Sequence, residues 1–207
     1  MKKETSGVFL CLLTLSFSFP YAVFSSDGIS AALSYSPGLT DRIVIDESPR
    51  AHSRETMALG LELNIAYLFR NDMGIGTSVH WGEVSRMTVE QGSNSISTTN
   101  WSGAFSQASL ALEFLYAPVR NRRTKLILGV GPSFTLKYYA SEYGSSLESG
   151  YLGLALGAAG QFTVTEHIFL HVGLSMTGDF IEMGKYAGRS SFFQIQVRPA
   201  LGFGFRS

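Results

Sequence analysis

Cysteine is almost absent from this 207-residue chain. The single one, Cys11, lies inside an apolar run, too early for a lipoprotein cleavage site and without the small residue that such a site has before its cysteine. A disulfide framework needs paired cysteines, and thiol catalysis needs an activated, accessible one. The scarcity of cysteine therefore excludes a disulfide-stapled domain and argues against a cysteine enzyme.

Charged residues are also scarce, at 15% of the chain, whereas soluble domains carry about 25%. Basic and acidic side chains balance at 16 each, so nothing in the net charge indicates binding to nucleic acid. The chain lacks the ionic coat of a water-facing surface. We expect no cofactor and no metal site, because the inward His80 and His171 fit hydrogen-bonded lumen residues better than metal ligands.

A hydrophobic run long enough to cross a bilayer as a helix is missing as well. Such a helix takes about 20 apolar residues, and the run Val8–Phe19 is shorter, follows two lysines and ends at a proline. This pattern predicts a secretory signal peptide over residues 1–25, with cleavage after Ser25, and a mature domain over residues 26–207. A buried core helix is the alternative interpretation.

Alternation with a period of two runs through the rest of the chain. Every second residue from Met57 to Tyr67 is apolar, and the residues between them are small or polar. Strand side chains point alternately to opposite faces, so this pattern predicts two-faced strands. Eight segments of roughly 10 residues predict an all-β, eight-stranded antiparallel up-and-down transmembrane barrel. The segments begin near Ile29, Met57, Met73, Gln107, Leu126, Leu152, Ile168 and Phe193.

Connections between these segments alternate between long and short. Membrane barrels of bacteria have long extracellular loops and short periplasmic turns. The pattern therefore predicts a location in the bacterial outer membrane, with both mature termini periplasmic. Residues 42–45 also favour a short strand above the membrane. The predicted long loops are 36–56, 85–100, 139–149 and 181–190, and the short turns are 69–72, 117–124 and 165–167.

Aromatic residues of the apolar face lie near the ends of the segments. Two aromatic belts at headgroup depth are typical of a barrel in contact with outer-membrane lipid. A soluble lipocalin-like barrel would turn the apolar face inward, but the other face, rich in Gly, Ala, Ser and Thr, is a poor water-facing surface. The predicted girdle contains Tyr35, Trp81, Tyr138, Phe180 and Phe193 near the outer loops, and Tyr67, Tyr116, Phe162, Phe203 and Phe205 near the periplasmic turns.

The architecture, together with the closing segment Gln194–Phe205, resembles the small outer-membrane barrels of the OmpX, OmpW and opacity families. The resemblance covers the whole mature chain. It implies that an aromatic C-terminal strand is read by the barrel-assembly machinery during insertion. The chain departs from that ending, since Arg206 and Ser207 follow the last phenylalanine. The resemblance also implies a narrow channel for small or apolar solutes.

The inward face carries a small set of ionisable side chains that we call the lumen cluster. An eight-stranded barrel is just wide enough for its own side chains, so charges inside it should pair. We expect an acidic pair with one arginine in the lower half and a lysine–aspartate pair near the top. The cluster is either a static plug or a gate. Its members are Glu62, Glu113, Lys137, His171, Asp179 and Arg198.

Inward glycines leave two interpretations open. They make room for a lumen open to water or small solutes, or they relieve crowding in a tightly curved sheet. The sequence does not choose between them. These glycines are Gly60, Gly74, Gly76, Gly129, Gly131, Gly153, Gly157, Gly173, Gly202 and Gly204.

Catalysis has little support. His171, Ser175 and Asp179 share one face, but residues four apart along a strand are about 13 Å apart, too far for direct proton transfer. We therefore expect no enzyme. The leading hypothesis is a narrow channel or a membrane-structural barrel. The alternative is a surface adhesin or host-interaction protein whose long outer loops bind a host molecule or another surface ligand.

Overall fold

The computed structural model describes residues 28–44, 51–91, 94–99, 105–140, 146–184 and 192–207, and this part of the chain is built from strands. The predicted signal peptide, residues 1–25, lies outside the described residues and stays a prediction. No helix among the described residues is long and apolar enough to span a membrane. The strands are β1 (Ile29–Tyr35), β2 (Gly38–Val44), β3 (Ala51–Leu68), β4 (Met73–Gln91), β5 (Asn94–Thr99), β6 (Phe105–Arg120), β7 (Thr124–Ala140), β8 (Ser146–Thr163), β9 (Ile168–Gly184) and β10 (Phe192–Arg206).

The ten strands form eight barrel-spanning strands in an antiparallel up-and-down order. Both β1 and β2 lie between β3 and β10, so they are two halves of one spanning strand. The interruption falls at Ser36 and Pro37, since proline lacks the N–H that the ladder needs. Likewise, β5 and β6 pair in succession along β4. Pairing of β1 and β2 with β10 closes the sheet, and the predicted eight-stranded barrel is confirmed.

The barrel is apolar outside and polar inside. Leu112 and Phe114, on the outer face of β6, are 58% and 70% exposed, whereas the inward Lys137 and Arg198 are each 2% exposed. A protein folded in water shows the opposite distribution, because charged side chains are almost never fully buried there. The apolar face of the strands therefore points outward, as predicted. The soluble-barrel alternative, with that face inward, is wrong.

All ten residues of the predicted girdle lie on the outer face. Eight of them are at least 36% exposed, while Tyr67 and Trp81 are partly covered by neighbouring side chains. Tyr67 packs edge-on against Phe69, with ring centroids 5.2 Å apart. Their role as belts at headgroup depth stays a prediction.

Strands reach further than the alternation predicted. β3 has 18 residues and β4 has 19, although about 9–11 residues suffice to cross a bilayer. Parts of the predicted long loops are therefore strand: β2 and the start of β3 occupy much of 36–56, and β4 and β5 occupy much of 85–100. Residues 42–44 are strand, at the end of β2, whereas their position above the membrane stays a prediction.

Bulges in β3 and β9 change which side chains of these strands point inward. At Ala58 the register of β3 against β4 shifts by one residue, and at Phe180 that of β9 against β8 does the same. A one-residue shift exchanges the faces of every following side chain. The prediction that Met57 faces lipid is therefore wrong, because Met57 is buried inside the barrel.

Close strand contact explains several inward glycines. A Cβ atom on Gly131 would overlap the carbonyl oxygen of Leu112 on β6, and one on Gly202 would overlap that of Leu33 on β1. These positions exclude any side chain because two backbones approach one another. At these two positions, glycine relieves crowding in the curved sheet and does not enlarge the lumen.

We expect Leu112→Lys to destabilise the folded barrel in lipid vesicles by about 2–4 kcal/mol, because it places an ammonium group in the middle of the apolar band. The protein is unfolded in urea, and the heat-dependent gel shift measures the folded fraction at each urea concentration. Val89→Lys is the matched control, since Val89 is also exposed but lies on the extension of β4 beyond that band. Equal stability of the two variants would contradict the assignment of the outer face to lipid.

Candidate functional site

Polar side chains fill the barrel interior across its middle. Five members of the lumen cluster, all except Glu113, are at most 3% exposed, and Glu113 is half-buried. Neutral amides and hydroxyls fill the space between them. The largest of these fully buried polar side chains are Gln107, Gln194, Gln196, Thr40, Thr135 and Thr177.

An ion pair crosses the upper half of the interior. The Lys137 Nζ atom on β7 donates to both carboxylate oxygens of Glu55 on β3, at 2.9 and 2.8 Å. We expected Lys137 to meet Asp179 near the top, but the salt bridge of Lys137 is with Glu55. Glu55 was missed because unbroken alternation puts it on the outer face, whereas the bulge at Ala58 turns it inward.

Asp179 instead takes part in a network of amides. Its Oδ2 atom accepts a hydrogen bond of 2.8 Å from Gln194 Nε2. In the next layer, Gln107 Nε2 donates to Gln196 Oε1 at 2.7 Å, and Thr177 Oγ1 donates to the same oxygen at 3.4 Å. These bonds join β6, β9 and β10 across the lumen, so this layer closes the interior with neutral donors and acceptors.

The lower half is organised around Glu62, as predicted. Its Oε2 atom lies 3.9 Å from Arg198 Nε and accepts hydrogen bonds from Ser36 Oγ at 3.2 Å and Ser175 Oγ at 3.3 Å. Arg198 Nε also donates to Ser175 Oγ at 3.1 Å, and Asn64 Nδ2 donates to Glu62 Oε1 at 2.9 Å. Side chains of β3, β9 and β10, and Ser36 between β1 and β2, thus share one buried carboxylate, which holds the arginine inside the lumen.

Below this cluster lies a small cavity of about 60 Å³, lined by Glu62, Glu113, His171 and neighbouring small residues. The cavity has room for only a few water molecules. Glu113, which we predicted in the lower group, lines this cavity. It forms no salt bridge among the described residues. Beneath it, apolar side chains close the barrel at the short-turn end. This hydrophobic floor consists of Leu68, Leu115, Ala117 and Ile127.

A second arginine closes the interior near the long-loop end. The Arg42 guanidinium lies 4.8 Å from the ring centroid of Phe192 and 3.6 Å from a carboxylate oxygen of Glu182. It also donates a 3.2 Å hydrogen bond to the hydroxyl of Tyr151. Glu182 faces inward because of the bulge at Phe180. Alternation alone did not reveal this group.

The interior shows no catalytic arrangement of His171 and Ser175. The Ser175 hydroxyl is engaged by Arg198 and Glu62, and His171 Nδ1 has no hydrogen-bond partner. No group of three metal-binding side chains occurs among the described residues. Ser175 therefore belongs to the network of Glu62 and Arg198.

Neither the family models nor the curated proteins contain a match to this chain. Solved structures do match. The outer membrane protein OprG from Pseudomonas aeruginosa superimposes with a TM-score of 0.58, at 15% identity, over 86% of this chain and 95% of that one. The chain has the fold of the small outer-membrane barrels.

Two further structures share that fold. The outer membrane protein AlkL, solved in lipid bilayers, matches with a TM-score of 0.53 at 14% identity, over 87% of this chain and 90% of that one. The outer membrane protease OmpT from Escherichia coli matches with a TM-score of 0.51 at 11% identity, over 88% and 97%. At such low identities the similarity extends to the fold alone.

We expect Lys137→Met to destabilise the barrel by about 3–5 kcal/mol, because it leaves the Glu55 carboxylate buried without its partner. The double variant Glu55→Gln, Lys137→Met should recover at least half of that loss. Unfolding in detergent micelles, measured for both single variants and the double, gives the coupling. Arg54→Ala breaks the exposed Asp41–Arg54 pair and should cost less than about 1 kcal/mol. Additive losses would contradict the buried pair.

Proposed function

We propose that the mature chain is an integral protein of the bacterial outer membrane, and that it acts as a closed, membrane-structural barrel. The observation that carries this proposal is the reversal of polarity: lipid-compatible side chains cover the outside, and paired charges are buried inside. Its immediate partners are then outer-membrane lipid and, during insertion, the barrel-assembly machinery. Secretion would rely on the signal peptide over residues 1–25.

The packed interior favours a closed barrel over an open pore. Three successive obstructions lie along the lumen: the Lys137–Glu55 pair, the Arg198–Glu62 pair and the hydrophobic floor. Breaking either buried pair leaves an uncompensated charge and costs several kcal/mol. Small or apolar solutes could pass only if these groups moved together. A channel in this protein would therefore have to be gated.

An enzymatic role is outside this proposal. OmpT shows that a protease can use a related fold, but here the hydroxyl of Ser175, the serine that shares a strand face with His171, is engaged by Glu62 and Arg198. A nucleophile needs a neighbouring base that accepts its proton.

We expect the refolded wild-type protein to give no stepwise current in planar bilayers, because the ion pairs and the hydrophobic floor fill the lumen. A large porin recorded in the same bilayer is the positive control. The folded state of the inserted protein is verified by its heat-dependent gel shift. Reproducible stepwise currents would contradict a closed barrel and would favour the channel.

A second candidate function is binding at the cell surface. The strands β3 and β4 continue past the apolar band as a paired ribbon, and β2 and β5 pair with that ribbon along its two edges. Its charged side chains interact with one another: Asp41 contacts both His52 and Arg54. An ordered, charged ribbon that stands above the membrane is a surface on which a host molecule can dock.

Single cysteines test the orientation that this second function requires. Cys11 is the only native cysteine and lies in the predicted signal peptide, so the mature protein carries no background thiol if that peptide is removed. We expect Arg54→Cys, on the ribbon, to react with a membrane-impermeant maleimide on intact cells. Arg122→Cys, at a short turn, should react only after the outer membrane is permeabilised. The reverse pattern would place the ribbon in the periplasm.

A further inference from the structure

An open basin of about 1100 Å³ lies at the short-turn end of the barrel. All three short turns and the end of β10 contribute to its wall. Glu166 is its one acidic side chain among the described residues. We call this feature the basic basin, because its wall includes the cationic residues Arg70, Arg120, Arg122, Lys125 and Arg206.

Neutral oxygens orient two arginines of the basic basin. Arg206 Nε donates to the backbone oxygen of Glu166 at 3.0 Å, and its Nη2 donates to Thr163 Oγ1 at 2.9 Å. Arg120 Nη1 donates to the backbone oxygen of Phe69 at 2.9 Å. Carbonyl and hydroxyl oxygens orient a guanidinium but leave its positive charge in place.

Acidic side chains compensate little of this charge. Among the described residues, the salt bridge at this end joins Arg120 to Asp72, at 3.3 Å. At the opposite end, by contrast, several cations lie beside a carboxylate, as in the Arg54–Asp41 and Arg42–Glu182 pairs. The short-turn end therefore carries an excess of positive charge, which favours the binding of an anion from outside the protein.

Exposed apolar side chains flank the basic basin on its outer side. Phe69 precedes Arg70, Val119 precedes Arg120 and Phe205 precedes Arg206 in the sequence, and each of these apolar residues is more than 40% exposed. Successive residues in a strand are about 3.3 Å apart. The cations thus lie at the boundary where the hydrocarbon contact of the barrel ends, which is the depth of lipid headgroups.

We propose that the basic basin binds the phosphate group of an anionic glycerophospholipid from the leaflet on the short-turn side. The phosphate would lie among Arg70, Arg122 and Lys125, and the acyl chains would run along Phe69 and Val119. Arginine and lysine both bind phosphate oxygens, arginine often through two parallel bonds. The hydrophobic floor separates the basin from the lumen, so the ligand would enter from the membrane. This inference rests on the proposed insertion in the membrane.

Lipid retention measures the preference directly. The protein is exchanged in detergent against equal amounts of phosphatidylglycerol and phosphatidylcholine, and the lipids that remain bound are counted by native mass spectrometry. We expect the wild type to favour phosphatidylglycerol. Arg70→Gln and Arg122→Gln should each lower that preference about fivefold, since one cation near an anionic surface has an effect of this size. Both residues are exposed, so neither substitution disturbs the interior.

Matched variants at the other end provide the control. Arg54→Gln and Arg86→Gln remove the same charge from the ribbon and should leave the preference unchanged. An unchanged preference in the basin variants would overturn the inference, and so would binding of inorganic phosphate at this site without binding of phosphatidylglycerol. Insertion is scored separately, by reconstituting the same proteins into lipid vesicles and measuring the heat-dependent gel shift. A chain that does not insert contradicts the proposed function, whereas an inserted chain without lipid preference contradicts the basin alone.

Discussion

Closure of the backbone hydrogen-bond ladder is the constraint on which the rest of this structure depends. Hydrocarbon offers no partner to a free N–H or C=O group, so a sheet survives in it only without edges. Here the seam is made by β10, which pairs with both β1 and β2. The break at Pro37 is tolerated because β3 and β10 continue past it on both sides. Everything else in the fold follows from keeping this ring closed.

A closed ring of eight strands encloses a space that only side chains can fill, and this limits what the protein can do. The interior is filled by hydrogen-bonded amides and by ion pairs whose charges neutralise one another, Lys137 with Glu55 and Arg198 with Glu62. Such an interior fixes the relative positions of strands that are distant in sequence. The barrel is therefore well suited to hold exposed structures at its two ends, and poorly suited to pass solutes without a rearrangement.

The two ends differ in charge for a reason that lies in their geometry. Long paired strands at one end let acidic and basic residues face each other across the ladder, as Asp41 and Arg54 do. Short turns at the other end bring cations from separate hairpins to one rim with fewer acids than cations. A neutral ribbon and a cationic rim are consistent with two different surroundings, water on one side and lipid headgroups on the other.

Alternation in the sequence by itself determined the strand number, the lipid-facing side and most of the inward residues, because a period of two is a local property of extended backbone. The buried positions of Glu62, Lys137, Asp179 and Arg198 follow from it. Tertiary structure alone decided the partners. The bulges at Ala58 and Phe180 bring Glu55 and Glu182 inside; a bulge depends on how a strand fits its neighbours, and no local pattern encodes that fit.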